Sequence, residues 1–314
     1  MTIVEANKTS STESERSKPW VVVLAGGQGT RLNQVTTAIH GTPVPKQFAV
    51  LNGVHSMLQT TVRRALWLTT PDRVLVVVNA KDAALTKEQL RDHPQVRMVL
   101  EPFSGGTALG VLLPVLMVAR EHPDDDLVVM PSDHHFGRPI CFVEAIQTVL
   151  ANTERYDDLV LMVAEAKRPG SDLGWVVPVG PARGELGLRG VSEFVEKPAV
   201  AVAEQLMRTG GLVSTMITLG TTRGFEAAFV ALMPRVTRAL KALIGSHRWN
   251  GMKSAFLTFG GKNFSRNILE HLPSLKVVAF PDCDWADSGP PSGFGRSSAW
   301  MLGQGCPKHH KGAT

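Results

Sequence analysis

The residues of this chain best suited to chemistry are a glycine loop, two early cations and an isolated carboxylate. A strand-like run from Val21 to Ala25 empties into Gly26-Gly27-Gln28-Gly29-Thr30-Arg31-Leu32, and no Asp or Glu occurs between Glu15 and Asp72. Glycines let backbone N–H groups turn toward an anion without interference from a Cβ, so this loop suits polyphosphate. Arg31 adds a planar fork of donors and Lys46 a compact ammonium. Asp133 follows the apolar run Leu127 to Met130, where a carboxylate has little purpose unless it meets a cation. It reads either as the principal ligand of Mg²⁺, a hard ion that prefers carboxylate and phosphate oxygens, or as the cap of the next turn.

Two common explanations of a glycine loop fail here. A P-loop needs GxxxxGK followed by Ser or Thr, and no such string occurs. A dinucleotide fingerprint needs a third glycine where this chain has Leu32, and an acidic residue about twenty positions on, which the acid-free stretch does not supply. His134 and His135 suit packing and hydrogen bonding better than a transition metal, and Arg63 and Arg64, in a helical stretch, read as a solvated face. Cys141, Cys283 and Cys306 are far apart, form no CxxC and are odd in number, which predicts free thiols in a reducing cytosol.

These groups need elements to hold them. Short β-branched runs alternate with helical patterns through the first half: Val21 to Ala25, Ser56 to Trp67, Arg73 to Val78, Lys87 to Arg91, Val96 to Leu100, Thr107 to Arg120, Asp126 to Met130 and Phe142 to Ala151. Such alternation predicts an α/β fold, Rossmann-like, with a mostly parallel sheet covered by helices on both faces and ligands at the carboxyl ends of the strands. After about Leu159 the rhythm changes to strands separated by Gly and Pro turns (Leu159 to Glu165, Gly174 to Val179, Gly190 to Glu196, Leu212 to Leu219), then to helices around Phe225 to Leu243 and Met252 to Leu257. This second half reads as a mixed α+β lobe. The expected organisation is a disordered leader over 1–18, a nucleotide half over 19–158, a second lobe over 159–290 and a tail over 291–314, which includes His309 and His310.

Composition agrees with a cytoplasmic, globular chain. Of 314 residues, 43% are hydrophobic and 19% charged, enough for a sizeable core. A net charge of +5 with only 6% aromatics favours small anionic substrates over nucleic acid, which needs stacking platforms. No apolar run approaches the length of a membrane span, and the first residues lack the apolar stretch of a signal peptide.

The glycine loop resembles the signature of the sugar-1-phosphate nucleotidyltransferases. Pro45-Lys46-Gln47-Phe48 with Ser56-Met57-Leu58-Gln59-Thr60 narrows the resemblance to the mannose-1-phosphate guanylyltransferase family. Glu101-Pro102 with Gly106-Thr107-Ala108, Pro131-Ser132-Asp133-His134, Phe194-Val195-Glu196-Lys197-Pro198 and Trp285-Ala286-Asp287-Ser288-Gly289 are similar to later motifs of that family, in its order. The resemblance covers roughly residues 20 to 290.

The resemblance implies a GT-A-like fold and a reaction in which a hexose 1-phosphate attacks the α-phosphorus of a nucleoside triphosphate, GTP first, releasing pyrophosphate. Arg31 and Lys46 would hold the triphosphate and neutralise charge on the leaving group, with the N–H groups of Gly27, Gln28 and Gly29 wrapping its oxygens, Thr30 also binding the nucleotide and Gly26 facing base and ribose. Asp287 would join Asp133 on Mg²⁺. Base and ribose would fall to Ser104, Gly105, Gly106 and Thr107, and the sugar phosphate to Gly174, Glu196, Lys197 and Ser214. Glu196-Lys197 also reads as a plain ion pair at a strand end. The chain departs from the family at Leu212-Val213-Ser214-Thr215-Met216, where Trp-Asn is common, and at Asn33-Gln34, where Trp-Pro is common. Three readings stand: GDP-mannose synthesis, the same chemistry on another base or sugar, and a catalytically quiet sugar-nucleotide sensor. A homo-oligomer is compatible with all of them.

Overall fold

A computed structural model describes residues 18–27, 37, 41, 44–50, 54–152, 158–183, 187–246 and 248–287. Gln28, Gly29, Thr30 and Arg31 lie outside the described residues, as do 1–17 of the expected leader and the whole of the expected tail.

Strands β1 (Trp20–Leu24), β2 (Val74–Asn79), β3 (Arg97–Glu101) and β4 (Asp126–Pro131) carry the expected first half. They are followed by β5 (His135–Phe136), β6 (Val160–Ala164), β7 (Gly174–Arg183), β8 (Leu188–Glu196), β9 (Leu212–Thr221), β10 (Lys276–Ala279) and β11 (Trp285–Ala286). Nine of these form one sheet in the order β3-β2-β1-β4-β9-β6-β10-β8-β7, with β9 also reaching β7, while β5 and β11 make a separate ribbon.

The sheet is mixed, which corrects the expectation of a mostly parallel one. β1 pairs in parallel with β2 and β4, β2 with β3, and β6 with β10. β9 runs antiparallel to β4, β6 and β7, and β8 antiparallel to β7 and β10. Helical crossovers return the early strands in the same direction, whereas the short link from Arg183 to Leu188 can only reverse the chain. β9 lies between β4 and β6, so the sheet runs unbroken across residue 158.

The α-helices among the described residues are α1 (Met57–Leu68), α2 (Ala83–Gln89), α3 (Thr107–Ala119), α4 (Pro139–Asn152), α5 (Val200–Arg208), α6 (Thr222–Leu232), α7 (Pro234–Gly245), α8 (Met252–Phe259) and the single turn α9 (Phe264–Asn267). The expected single helix from 225 to 243 is two, because Pro234 cannot donate to the preceding turn and instead starts α7. α1 opens with a capping box: Ser56 Oγ accepts from Gln59 N, and Gln59 Oε1 accepts from Ser56 N.

Alternate side chains of the buried strands feed two cores. Val22, Leu75 and Val77 meet α3 and α6 to α8 on one face. Val21, Val23, Val74 and Val76 meet α1 and α4 on the other. Leu58 and Val62 of α1 are fully buried, and each such side chain contributes about 1.5–3 kcal/mol. Both helix layers therefore hold the carboxyl ends of β1 to β4 rigidly.

The expectation of free thiols fails for two of the three cysteines. Cys141 and Cys283, with Cα atoms 5.6 Å apart, are joined as a disulfide across a sequence separation of 142. Distance along the chain carries no information about distance between α4 and the segment after β10.

Candidate active site

At the end of β1 the peptide planes are set by side-chain amides. Gln47 Nε2 donates to the carbonyls of Ala25 and Gly27, each at 2.8 Å, and Asn79 Nδ2 donates to the carbonyl of Gly26 at 2.7 Å. In a trans peptide the N–H points opposite to the C=O. With the carbonyls of Ala25 and Gly26 held from one side, the N–H groups of Gly26 and Gly27 turn to the other, which is the orientation an anion needs. Gln47 and Asn79 were not among the expected site residues. An amide ending an otherwise apolar buried strand was the signal for Asn79.

Lys46 sits in a short 3-10 turn, Lys46–Phe48, beside this loop. Its Nζ donates to Asp133 Oδ2 at 2.8 Å and to the carbonyl of Asp287 at 2.7 Å. Asp133 follows β4, and Asp287 follows β11, which reaches back through the pairs Trp285 with Phe136 and Ala286 with His135. Two motifs from opposite ends of the chain thus meet at one ammonium.

Between them lies His134. Its Nδ1 accepts from Trp285 Nε1 at 3.2 Å, and burial brings its pKa down to about 4, against the upward pull of Asp133 and Asp287. The ring is therefore neutral at pH 7, in the packing and hydrogen-bonding role expected of it.

Arg64 corrects the reading of a solvated face. Arg63 is exposed, but Arg64 is only 4% exposed; it donates to Thr61 Oγ1 and to the carbonyl of His134. Its guanidinium lies over the rings of Phe136 and Phe142, 5.0 and 5.7 Å from their centroids. Burial lowers its pKa to about 10. Helical spacing turns adjacent residues to different faces, and Arg64 falls on the face that packs under the Asp133–His134 turn.

Glu101 and Asn79 face each other in register at the ends of β3 and β2. Asn79 Oδ1 and Glu101 Oε1 are buried and have no hydrogen-bond partner among the described residues. Glu101 Oε2 lies 2.6 Å from where a Cβ on Gly26 would stand, so the carboxylate packs directly on the glycine backbone. Burial pushes the Glu101 carboxyl up to about 7.

The loop Ser104 to Thr107 is small-residued for a different reason from the one expected. A Cβ on Gly106, whose φ is +85°, would meet Lys262 O at 2.2 Å, and one on Gly105 would meet the Phe256 ring at 2.6 Å. Thr107 Oγ1 accepts from Phe264 N at 2.8 Å. At Gly105 and Gly106 the close approach is made by the protein's own segment; Ser104 remains exposed.

The second group of expected residues forms its own row. Gly174 pairs with Glu196, and Trp175 with Val213, so one antiparallel step brings Gly174 opposite Ser214. Glu196 Oε2 fills the space above Gly174, 2.7 Å from where its Cβ would be, and Glu196 Oε1 pairs with Lys197 Nζ at 3.2 Å. Lys197 has φ 54°, a strained conformation of the kind that collects at ligand sites. Ser214 Oγ accepts from Met216 N, which leaves its hydroxyl hydrogen to donate.

The donor set at Lys46 suits a hard divalent cation. Asp133 is partly exposed, and both carboxylates act on one buried imidazole. No group of three or more His, Cys, Asp or Glu that could hold a metal occurs among the described residues. Mg²⁺ is commonly held by one or two carboxylates together with substrate phosphates, so two suffice. No helix among the described residues is long and apolar enough to cross a membrane.

Comparison with known proteins places the chain in a family. Alginate biosynthesis protein AlgA of Pseudomonas fluorescens is 30% identical over 194 residues, 60% of this chain and 38% of that protein. Mannose-1-phosphate guanylyltransferase ManC of Salmonella typhimurium is 25% identical over 312 residues, 94% of this chain and 62% of that protein. The chain thus spans about two fifths to three fifths of the length of these relatives. A crystal structure described as mannose-1-phosphate geranyltransferase from Thermus thermophilus superposes with a TM-score of 0.72 at 25% identity, over 86% of this chain and 76% of that one. A family model described as nucleotidyl transferase matches residues 20–218, the span that holds the glycine loop, Lys46, Asp133 and the Gly174 to Ser214 row, and the chain belongs to that family.

Proposed function

We propose that this protein joins a hexose 1-phosphate to a nucleoside triphosphate with release of pyrophosphate, and that the pair is GTP and mannose 1-phosphate, giving GDP-mannose. The observation that carries the reading is the meeting of Asp133 and Asp287 at the ammonium of Lys46 beside the glycine loop. The proposed fold type is GT-A-like, with 19–158 serving the nucleotide and 159–290 the sugar phosphate, in a cytoplasmic enzyme.

The N–H groups of Gly26 and Gly27 would receive phosphate oxygens, continued by Gln28, Gly29, Thr30 and Arg31. Lys46 would leave Asp133 for the triphosphate and balance charge on the departing pyrophosphate. Asp133 and Asp287 would hold Mg²⁺, which when bound draws electron density from the α-phosphate. Phosphoryl-type transfer of this kind needs alignment and neutralisation more than covalent help. Ser104 and the loop to Thr107 would border the ribose. Turned outward from their buried positions, the unpartnered acceptors of Glu101 and Asn79 would suit a base that presents a ring N–H beside an amino group, as guanine does. Lys197 would meet the sugar phosphate, and Glu196 and Ser214 the hydroxyls above Gly174.

The test is pyrophosphate release with Mg²⁺ across GTP, ATP, UTP and dTTP against mannose 1-phosphate and glucose 1-phosphate. GTP with mannose 1-phosphate should give the highest kcat/KM. Another pair used more efficiently overturns the sugar or base, and binding of GDP-mannose without turnover of any pair supports a sensor instead.

A further inference from the structure

We propose that Cys141–Cys283 is a thiol–disulfide exchange site, acted on by a dithiol, that secures or loosens the segment carrying Asp287. The inference rests on the reading of Asp287 as a metal carboxylate. Cys283 lies four positions before Asp287, and its bond to Cys141 in the first turn of α4 pins that segment to the body. The other attachments are slight. β11 pairs with β5 over two residues, and the backbone N–H groups of Gly137 and Arg138 donate to the carbonyls of Asp284 and Cys283. The ion pairs Arg138–Asp282 and Lys167–Asp284 are exposed, where such pairs contribute little. Trp285 reaches His134, and Lys46 reaches the Asp287 carbonyl. Asp284, between the cysteine and β11, holds φ 51°, the left-handed turn conformation that Asp tolerates, rather than extended backbone that could continue the ribbon.

The bond is approachable from one side. Cys283 is 1% exposed, whereas Cys141 is partly exposed. A thiolate of the dithiol attacks Cys141 Sγ, forming a mixed disulfide, and Cys283 Sγ leaves and takes a proton from solvent. The second thiol of the dithiol then attacks its own partner sulfur in the mixed disulfide and releases Cys141 as a thiol. Two electrons pass to the protein and the dithiol ends as a disulfide. Reduced, the segment keeps its short ribbon, the contacts of Trp285 and Lys46 and its surface pairs but loses its one covalent anchor, and Asp287 is held less firmly.

The full chain, oxidised or treated with dithiothreitol, supplies the test. Alkylation should add one label to the oxidised form and three to the reduced, given three cysteines. Hydrogen exchange in 280–287 should quicken on reduction while 74–79 is unchanged. The Mg²⁺ concentration for half-maximal pyrophosphate release should rise about tenfold, the usual loss when support of a metal ligand is removed. Cys283→Ser should match the reduced form and ignore dithiothreitol. Three labels without reductant, or identical exchange of 280–287 in both forms, overturns the tether whatever the activity. Faster exchange with unchanged Mg²⁺ dependence overturns its link to the metal. No pyrophosphate release in either form overturns the assigned reaction instead, and hydrogen exchange still decides the tether.

Discussion

Lys46 Nζ donates to Asp133 Oδ2 at 2.8 Å across 87 positions of sequence, and the same ammonium reaches the carbonyl of Asp287, 241 positions away. A cation placed between a carboxylate and a backbone oxygen has lower-cost partners on any surface, so its value here is what it can be traded for. On the proposed reading, a triphosphate and its cation would give Asp133 a metal and Lys46 a phosphate in exchange for each other.

Lys46→Ala should therefore lower turnover by about 10²- to 10³-fold, the loss typical of a donor acting on developing charge. Because Asp133 is 37% exposed, the pair itself contributes about 1 kcal/mol at most. The thermal midpoint should hardly move. A large fall in midpoint with near-normal turnover at low temperature would reverse the assignment.

Arg31→Ala should cost a similar factor, about 10²- to 10³-fold in turnover. Arg31 lies outside the described residues, so its place rests on the sequence. Steady-state rates at saturating nucleotide check it, and a near-normal rate removes Arg31 from the reaction.

How much of this was legible in the sequence depended on the range of the cause. β1 to β4 could be read because β-branched runs bounded by turn residues are local signals. The glycine loop, Lys46 and Asp133 stood out because anion and metal chemistry restricts residue type, and the structure brings Lys46 and Asp133 together. β10 and the β5–β11 ribbon were missed because four or two residues carry no period. The order of the strands, with β9 between β4 and β6, is a long-range outcome that no window of sequence contains. Arg64 was misread for a related reason: its burial depends on which side of α1 meets Phe136 and Phe142.

That burial gives a third prediction. Arg64 has no ion-pair partner among the described residues and an unpartnered Nε, so its charge is costly to keep. Arg64→Leu should leave the thermal midpoint unchanged or raise it. It should lower turnover by about tenfold, because the His134 carbonyl next to Asp133 loses its donor. Loss of both stability and activity in proportion would make Arg64 a structural residue only.

Gly106→Ala tests the start of α3. Its φ of +85° and the 2.2 Å approach of Lys262 O to a new Cβ leave no space that a flexible side chain could yield. A strained backbone of this kind costs about 1–3 kcal/mol, before the clash is added. Chemical denaturation should show a clear fall in midpoint, whereas Gly27→Ala, with no described residue within 4 Å of its added Cβ, should keep its stability. Equal stability of the two variants would contradict the packing of Gly106 on Lys262.

Glu101→Gln separates base recognition from folding through pH. Burial raises the Glu101 carboxyl from its ordinary 4.5 to about 7. Between those values the unfolded chain has released a proton that the folded chain still holds, so stability falls as pH rises, by about 3 kcal/mol in all. Glutamine does not titrate. Glu101→Gln should match the wild type at pH 4 and exceed it in thermal midpoint at pH 8. GTP binding should run the opposite way. If a guanine edge donates to the ionised carboxylate, as proposed, the wild-type KM for GTP should fall as pH rises through 7, while in Glu101→Gln it should be higher and flat. Parallel KM profiles in the two proteins would remove Glu101 from the base pocket, and parallel midpoints would remove the buried titration.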